Sequence, residues 1–197
     1  MKRREAVGLL SAVPFVGRLP LPPAAAAQGS KFLRELLRDP AQTFTPQFFT
    51  AHEWQTVRVL VDLVIPKDAR SGGATDAGVP EFMDFILVAY PENQLWMRGG
   101  LAWLDTACHD RFGTDFLGAA AAQRTAVLDD IAWPDRAPQE LHHGVEFFNN
   151  FRDFTASGFW SSQMGVADLQ YMGNVFNPNW QGCPPEQLAK LGVRYSD

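Results

Sequence analysis

Residues 50–66, TAHEWQTVRVLVDLVIP, decide the fold class. Thr50 and Glu53 have the spacing of a capping box, in which each side chain takes a backbone N–H left unpaired at a helix start. Trp54, Val57, Leu60, Val61 and Val64 then recur every three or four residues, one apolar stripe along a helix. Pro66 stops it, because proline has no N–H to continue the ladder.

Toward the C-terminus the same grammar repeats. Residues 66–80, PKDARSGGATDAGVP, form a glycine-rich loop lacking the Gly-Lys-Ser/Thr of a phosphate loop and the GxGxxG of a dinucleotide turn. Pro80 suits the first turn of a second helix, whose buried face is expected at Phe82, Phe85, Ile86 and Ala89. A third helix runs from Pro91 to a stop at Gly113. In it Trp96, Trp103, Leu104 and Cys108 alternate with Gly99, Gly100 and Ala102, so close helix packing is expected. A fourth spans about Ala119–Ala132, a fifth about Pro138–Thr155 with Leu141, Val145, Phe148, Phe151 (or Phe147) and Phe154 at helical spacing, and a shorter one follows from Ser161. No run alternates at strand period. The chain is read as all-α, an irregular helical bundle of about five to six helices with long ordered loops.

Upstream of Thr50 the composition changes. The chain opens MKRRE, continues with an apolar stretch from Ala6 to Val16, and reaches LPLPP and then Ala24–Ala27. A basic start, a short apolar centre and an alanine-rich cleavage motif describe an export signal. Arg3 and Arg4 stand where a twin-arginine signal has them, although Lys2 replaces a hydroxyl residue and Arg18 weakens the apolar region. The expected organisation is an export signal at 1–27, with cleavage after Ala27 or retention both open, an N-terminal arm at 28–45, and a helical domain at 46–197. In the arm Phe32, Leu33, Leu36 and Leu37 could line a short helix ended by Pro40.

Composition narrows the function classes. A length of 197 residues suits one domain with its own core. A net charge of −5 argues against a nucleic-acid surface. No apolar run reaches the length of a membrane span. The four histidines show no metal-ligand spacing: His142 and His143 are adjacent, about 100° apart on a helix, and His52 and His109 have no partner in a recognised pattern. Ser157, Ser161 and Ser162 lack a nucleophile elbow. Cys108 falls on a helical pattern and reads as a packed thiol. No nucleophile, base and oxyanion site assembles, so the chain alone does not read as an enzyme.

What stands out is residues 171–185, YMGNVFNPNWQGCPP, which have no period yet carry Tyr171, Phe176, Trp180 and Cys183. Loops are normally polar because they cannot hide their own backbone. Either this one folds back on its domain or it is a recognition surface, where aromatics anchor and polar neighbours form a rim. An unpaired thiol in an oxidising compartment suggests a bond to another chain. For Cys183 an inter-subunit disulfide, an internal bond to Cys108 and a free thiol all remain open.

Two segments together resemble the gluconate 2-dehydrogenase subunit 3 family. The first carries Ile65, Pro66, Asp68, Gly73, Ala74, Ala77, Gly78, Val79, Pro80, Phe82 and Asp84; the second carries Ser161, Asp168, Leu169, Tyr171, Gly173, Asn174, Trp180, Gly182, Cys183 and Pro184. This chain departs in having Trp160 where a second Phe is common, and a longer NVFNPN insert before Trp180. The resemblance implies a small, non-catalytic subunit of a periplasmic dehydrogenase for sugars or sugar acids. Its large partner, of the glucose–methanol–choline oxidoreductase type, holds FAD, and a cytochrome c subunit with haem c often takes the electrons. This chain would bind no cofactor or metal itself. It would supply the twin-arginine signal, so that the translocase carries a partner already folded and loaded with FAD in the cytoplasm. Tyr171, Asn174, Phe176, Trp180 and Cys183 are then the expected contacts with that partner. Two other readings compete: a free-standing periplasmic carbohydrate-binding module that uses the aromatic loop, and an independent periplasmic enzyme.

Overall fold

A computed structural model describes residues 22–36, 44–171, 173, 176, 178–179 and 182–195. Arg3, Arg4, Leu37, Pro40, Asn174 and Trp180 lie outside the described residues. Among those described there are eight α-helices and no strand: α1 Pro23–Leu36, α2 Ala51–Val64, α3 Val79–Ala89, α4 Gln94–Phe112, α5 Ala121–Ile131, α6 His142–Ser161, α7 Gln163–Asp168 and α8 Pro185–Leu191. Single 3-10 turns at Pro91–Asn93 and Gln139–Leu141 lead into α4 and α6. The all-α reading holds, with more helices than the sequence pattern suggested.

The capping box forms as read: Thr50 Oγ1 accepts from Glu53 N–H, and Glu53 Oε2 accepts from Thr50 N–H. Of the α2 stripe, Val57, Leu60 and Val61 are fully buried and Trp54 and Val64 partly so. Gly78 caps α3 in the left-handed region at φ 77°, a conformation that suits glycine, and Pro80 sits in the first turn. Ala89, expected on the buried face, is exposed. α3 buries Val79, Pro80, Phe82, Met83, Asp84, Ile86 and Leu87, most of its circumference, and its last turn emerges from the core.

α6 is the hub. It buries Val145, Phe147, Phe148, Phe151, Phe154 and Phe159, an apolar arc wide enough to meet several neighbours, and it packs against α1, α2, α3, α4, α5 and α7. Its crossing with α4 interlocks reciprocally. A Cβ on Gly100 would lie 1.7 Å from the Phe147 ring, and one on Gly144 would lie 2.4 Å from the Trp103 ring. Each glycine thus makes room for the opposite helix's aromatic side chain. Gly99, by contrast, faces open space.

Residues 47–49, just before α2, are clamped from both sides. The buried Asp84 carboxylate accepts N–H from Gln47, Phe48 and Phe49 at 2.8, 3.0 and 3.1 Å. Arg98 donates to the Phe48 carbonyl at 3.0 Å and lies over its ring. Satisfying these buried amides with a charged acceptor fixes the entry of α2 against α3.

α1 extends further back than the sequence pattern suggested. It begins at Pro23, takes in Ala24–Ala27, and buries Ala25, Gly29 and Leu33 against α3 and α6.

Candidate functional site

The two segments singled out in the sequence meet in space. The first is held almost wholly by its own polar groups. Asp62 Oδ1 accepts from Thr75 N–H at 2.7 Å, and Thr75 Oγ1 donates to the Arg58 carbonyl. Asp68 Oδ1 accepts from Arg70 and Ser71 N–H, and these bonds, Ser71's foremost, hold its carboxyl below the usual range. Asp76 accepts from Gly73 N–H, while the amides of Ala74, Ala77, Gly78 and Val79 donate to loop carbonyls. The amides a phosphate would need are already committed within the loop. This glycine-rich segment is a structural knot between α2 and α3.

The second segment is anchored only at its start. Ser162 caps α7 by accepting from Gly165 N–H, and Ser161 donates back to the Ser157 carbonyl. Arg70 joins the two segments: its Nη2 lies 3.1 Å from Asp168 Oδ1 and donates to the Asp168 carbonyl. Gln170 turns the chain at φ 53°, and Tyr171 N–H donates to the Val166 carbonyl.

Beyond that point the segment leaves the core. Tyr171 is 64% exposed and Phe176 86%. α8 has no buried residue, and Leu191 is 73% exposed. Val193 and Tyr195 are exposed as well, and so is Leu169 just upstream. The final strand of chain closes locally on itself: Tyr195 Oη accepts from Cys183 N–H at 2.7 Å, and its ring packs over Gly182. Cys183 is an exposed free thiol at this closure. The structure therefore brings Tyr171, Phe176 and Cys183 onto one solvent-facing segment, joined by Leu169, named above only as part of the resemblance, and by Leu191, Val193 and Tyr195, which sequence reasoning did not single out. Their one legible signal was large apolar type in a stretch without a long helical period.

The remaining chemistry-bearing groups are engaged elsewhere. His52 Nε2 lies 2.7 Å from Asp105 Oδ2, and Asp105 Oδ1 accepts from Phe116 N–H, so the pair ties α2 and α4 to the loop after α4. Cys108 is buried on α4, where burial, then the nearby Asp105, raises its thiol pKa and disfavours the nucleophilic thiolate. His142, His143 and Glu146 offer ligand atoms within 4.8 Å of one another, closer than a 100° offset between the two histidines suggests. Both histidines are exposed, on the first turn of α6, where the helix dipole opposes a cation. A cleft of about 530 Å³ lies between α1, the first segment and α7, with Leu33, Arg34, Asp76, Ser162 and Met164 among its walls.

A family model described as gluconate 2-dehydrogenase subunit 3 matches residues 51–178, from the first turn of α2 into the exposed segment. No curated protein and no solved structure matches the chain.

Proposed function

The chain belongs to the gluconate 2-dehydrogenase subunit 3 family, and from that premise we propose that it is the non-catalytic small subunit and export escort of a periplasmic FAD-dependent dehydrogenase acting on sugars or sugar acids. The family's description makes it a subunit of a dehydrogenase complex, which implies a catalytic partner. The observation that carries the reading is the apolar segment from Leu169 to Tyr195, whose described large side chains rest against none of the core. Burying a leucine or phenylalanine against a partner is worth about 1.5–3 kcal/mol each, before the costs of association. A monomer gains nothing from leaving them in water.

In this reading the two matched segments divide the work. Residues 62–84 build a rigid base, Arg70 fixes the start of the second segment to it, and Tyr171, Asn174, Phe176 and Trp180 reach the large subunit. Cys183 forms an inter-subunit disulfide once the docked pair has left the reducing cytoplasm. The export signal read at residues 1–27, with Arg3 and Arg4, takes both chains across through the twin-arginine route, the flavoprotein already holding FAD. Oxidation of the sugar and electron transfer, to a cytochrome c where one is present, belong to the partners.

The test is purification of the tagged full chain from its own host. A stoichiometric larger polypeptide with flavin absorbance is expected, and Tyr171→Ala with Phe176→Ala should lose it without lowering Tm. Capture of the flavoprotein undiminished in that double variant would refute the assignment of the interface. A chain that purifies alone, with no flavin, would refute the subunit role.

A further inference from the structure

We infer that Ala24–Ala27, which read as a leader-peptidase site, is closed to processing in the folded protein, and that the exported chain is retained at least from Pro22 onward. The inference rests on the export reading above. Its observations lie in α1.

Ala25, Gly29 and Leu33 follow one another at intervals of four, so they share one face, and all three are buried. At Gly29 the helix backbone lies directly on α3: a Cβ there would meet Phe82 at 2.3 Å. One turn later Phe32 stacks on Phe85 with centroids 4.5 Å apart and planes 10° from parallel. Tyr90 Oη donates to Gln28 Oε1 at 3.4 Å, and Ser30 Oγ donates to the Ala26 carbonyl at 2.8 Å. The first turn is closed by Ala25 and Ala26 N–H, both donating to the Pro22 carbonyl. Helical bonding therefore starts at Pro22, and the whole alanine tract lies inside it.

Processing proteases take their substrates extended, and susceptibility follows how readily the local backbone can open. Presenting the bond after Ala27 in extended form means unwinding α1 on both sides of it, stripping Ala25 from the core and lifting Gly29 from Phe82. A cut there would also leave Gln28–Leu36 with a new ammonium at its N-terminus, where the helix dipole disfavours positive charge. The order of events matters. A chain threaded unfolded would show the alanine tract to the peptidase before α1 could dock, whereas a chain carried across folded arrives with the tract already wound into α1, Ala25 buried and Ala24 and Ala27 exposed but helical.

Two measurements test this. Intact mass of the exported protein, expressed with its full leader, should give an N-terminus at or before Pro22; an N-terminus at Gln28 overturns the inference. Elastase, which cuts after small side chains, probes the protection without relying on export. On the purified full chain, cutting between Ala24 and Gln28 should be at least about tenfold slower than in Gly29→Leu, which cannot keep α1 on Phe82. Phe32→Ala, which removes the stack on Phe85 without overfilling the contact, should also speed cutting and serves if the leucine variant does not fold. Equal rates in the wild type and a folded variant overturn the inference. A protected chain that stays in the cytoplasm supports the closed helix and overturns the export reading, so the two can fail separately.

Discussion

Replacing Asp84 by alanine tests whether the first matched segment works by folding or by touching a partner. The carboxylate is 1% exposed and accepts three backbone N–H groups contributed from 35 to 37 residues away. A hydrogen bond to a charged group is worth about 1.5–3 kcal/mol, and three at the low end sum to about 4.5 kcal/mol. Removing the buried charge recovers part of its desolvation cost, while three amides lose their acceptor, so we expect Asp84→Ala to cost about 3–5 kcal/mol. Asp84→Asn should cost about 2 kcal/mol, because one oxygen can still face Phe48 and Phe49 while its NH₂ opposes the Gln47 N–H. At about 2–4 °C per kcal/mol for a domain of this size, the alanine variant should melt roughly 6–20 °C lower. The assay is urea unfolding followed by circular dichroism, with the m-value checked for two-state behaviour. A loss below about 1 kcal/mol in Asp84→Ala, or asparagine as damaging as alanine, would refute the account of the clamp. Flavoprotein capture per folded molecule should be unchanged. A stable variant that no longer captures the partner would place Asp84 in the interface instead.

Other expectations follow from packing and titration. Gly100→Ala should destabilise by about 1–2 kcal/mol by driving a methyl into Phe147, whereas Gly99→Ala, which faces open space, should stabilise by up to about 1 kcal/mol; thermal melts of the pair read the contrast. Iodoacetamide should label one thiol per chain in the native uncomplexed protein, Cys183, and two in urea, because Cys108 is buried with its pKa raised; rapid labelling of both would contradict the packing of α4. In the exported complex, a non-reducing gel should show a band at the summed mass of both subunits, lost in Cys183→Ser and kept in Cys108→Ser. Burial raises the pKa of Glu81 in the folded state above its ordinary value of 4.5. The folded chain therefore binds this proton more tightly than the unfolded one, and Glu81's contribution to stability falls as pH rises through that window. Glu81→Gln should flatten the pH dependence of the urea midpoint above about pH 4.5 without loss of stability at neutral pH. A steeper dependence in the variant would reverse the sign.

Much of this protein is written locally. The capping box at Thr50 and Glu53, the stripe from Trp54 to Val64, Pro80 in a first turn and Gly113 ending α4 at φ 74° all depend on neighbours within a few residues. Spacing alone therefore reads them. For the segment after Gln170 the sequence left folding back on the domain and outward exposure equally open, and only the structure shows Tyr171 and Phe176 in solvent. Contacts between distant residues were not legible. Arg70 reaches Asp168 across 98 positions, His52 reaches Asp105 across 53, and Asp84 holds Phe48 across 36. Nothing in the order of residues records which helices will cross, so a lone aspartate reads as a solvated charge until its donors arrive from elsewhere. Ala24–Ala27 shows the limit most clearly. Small side chains satisfy a peptidase site and a tight helix crossing equally well, and the sequence pattern favoured the first. Only the arrival of Phe82 and Phe85 on α3 beside Gly29 and Phe32 shows that the tract also forms the first turns of a docked helix, with Ala25 buried.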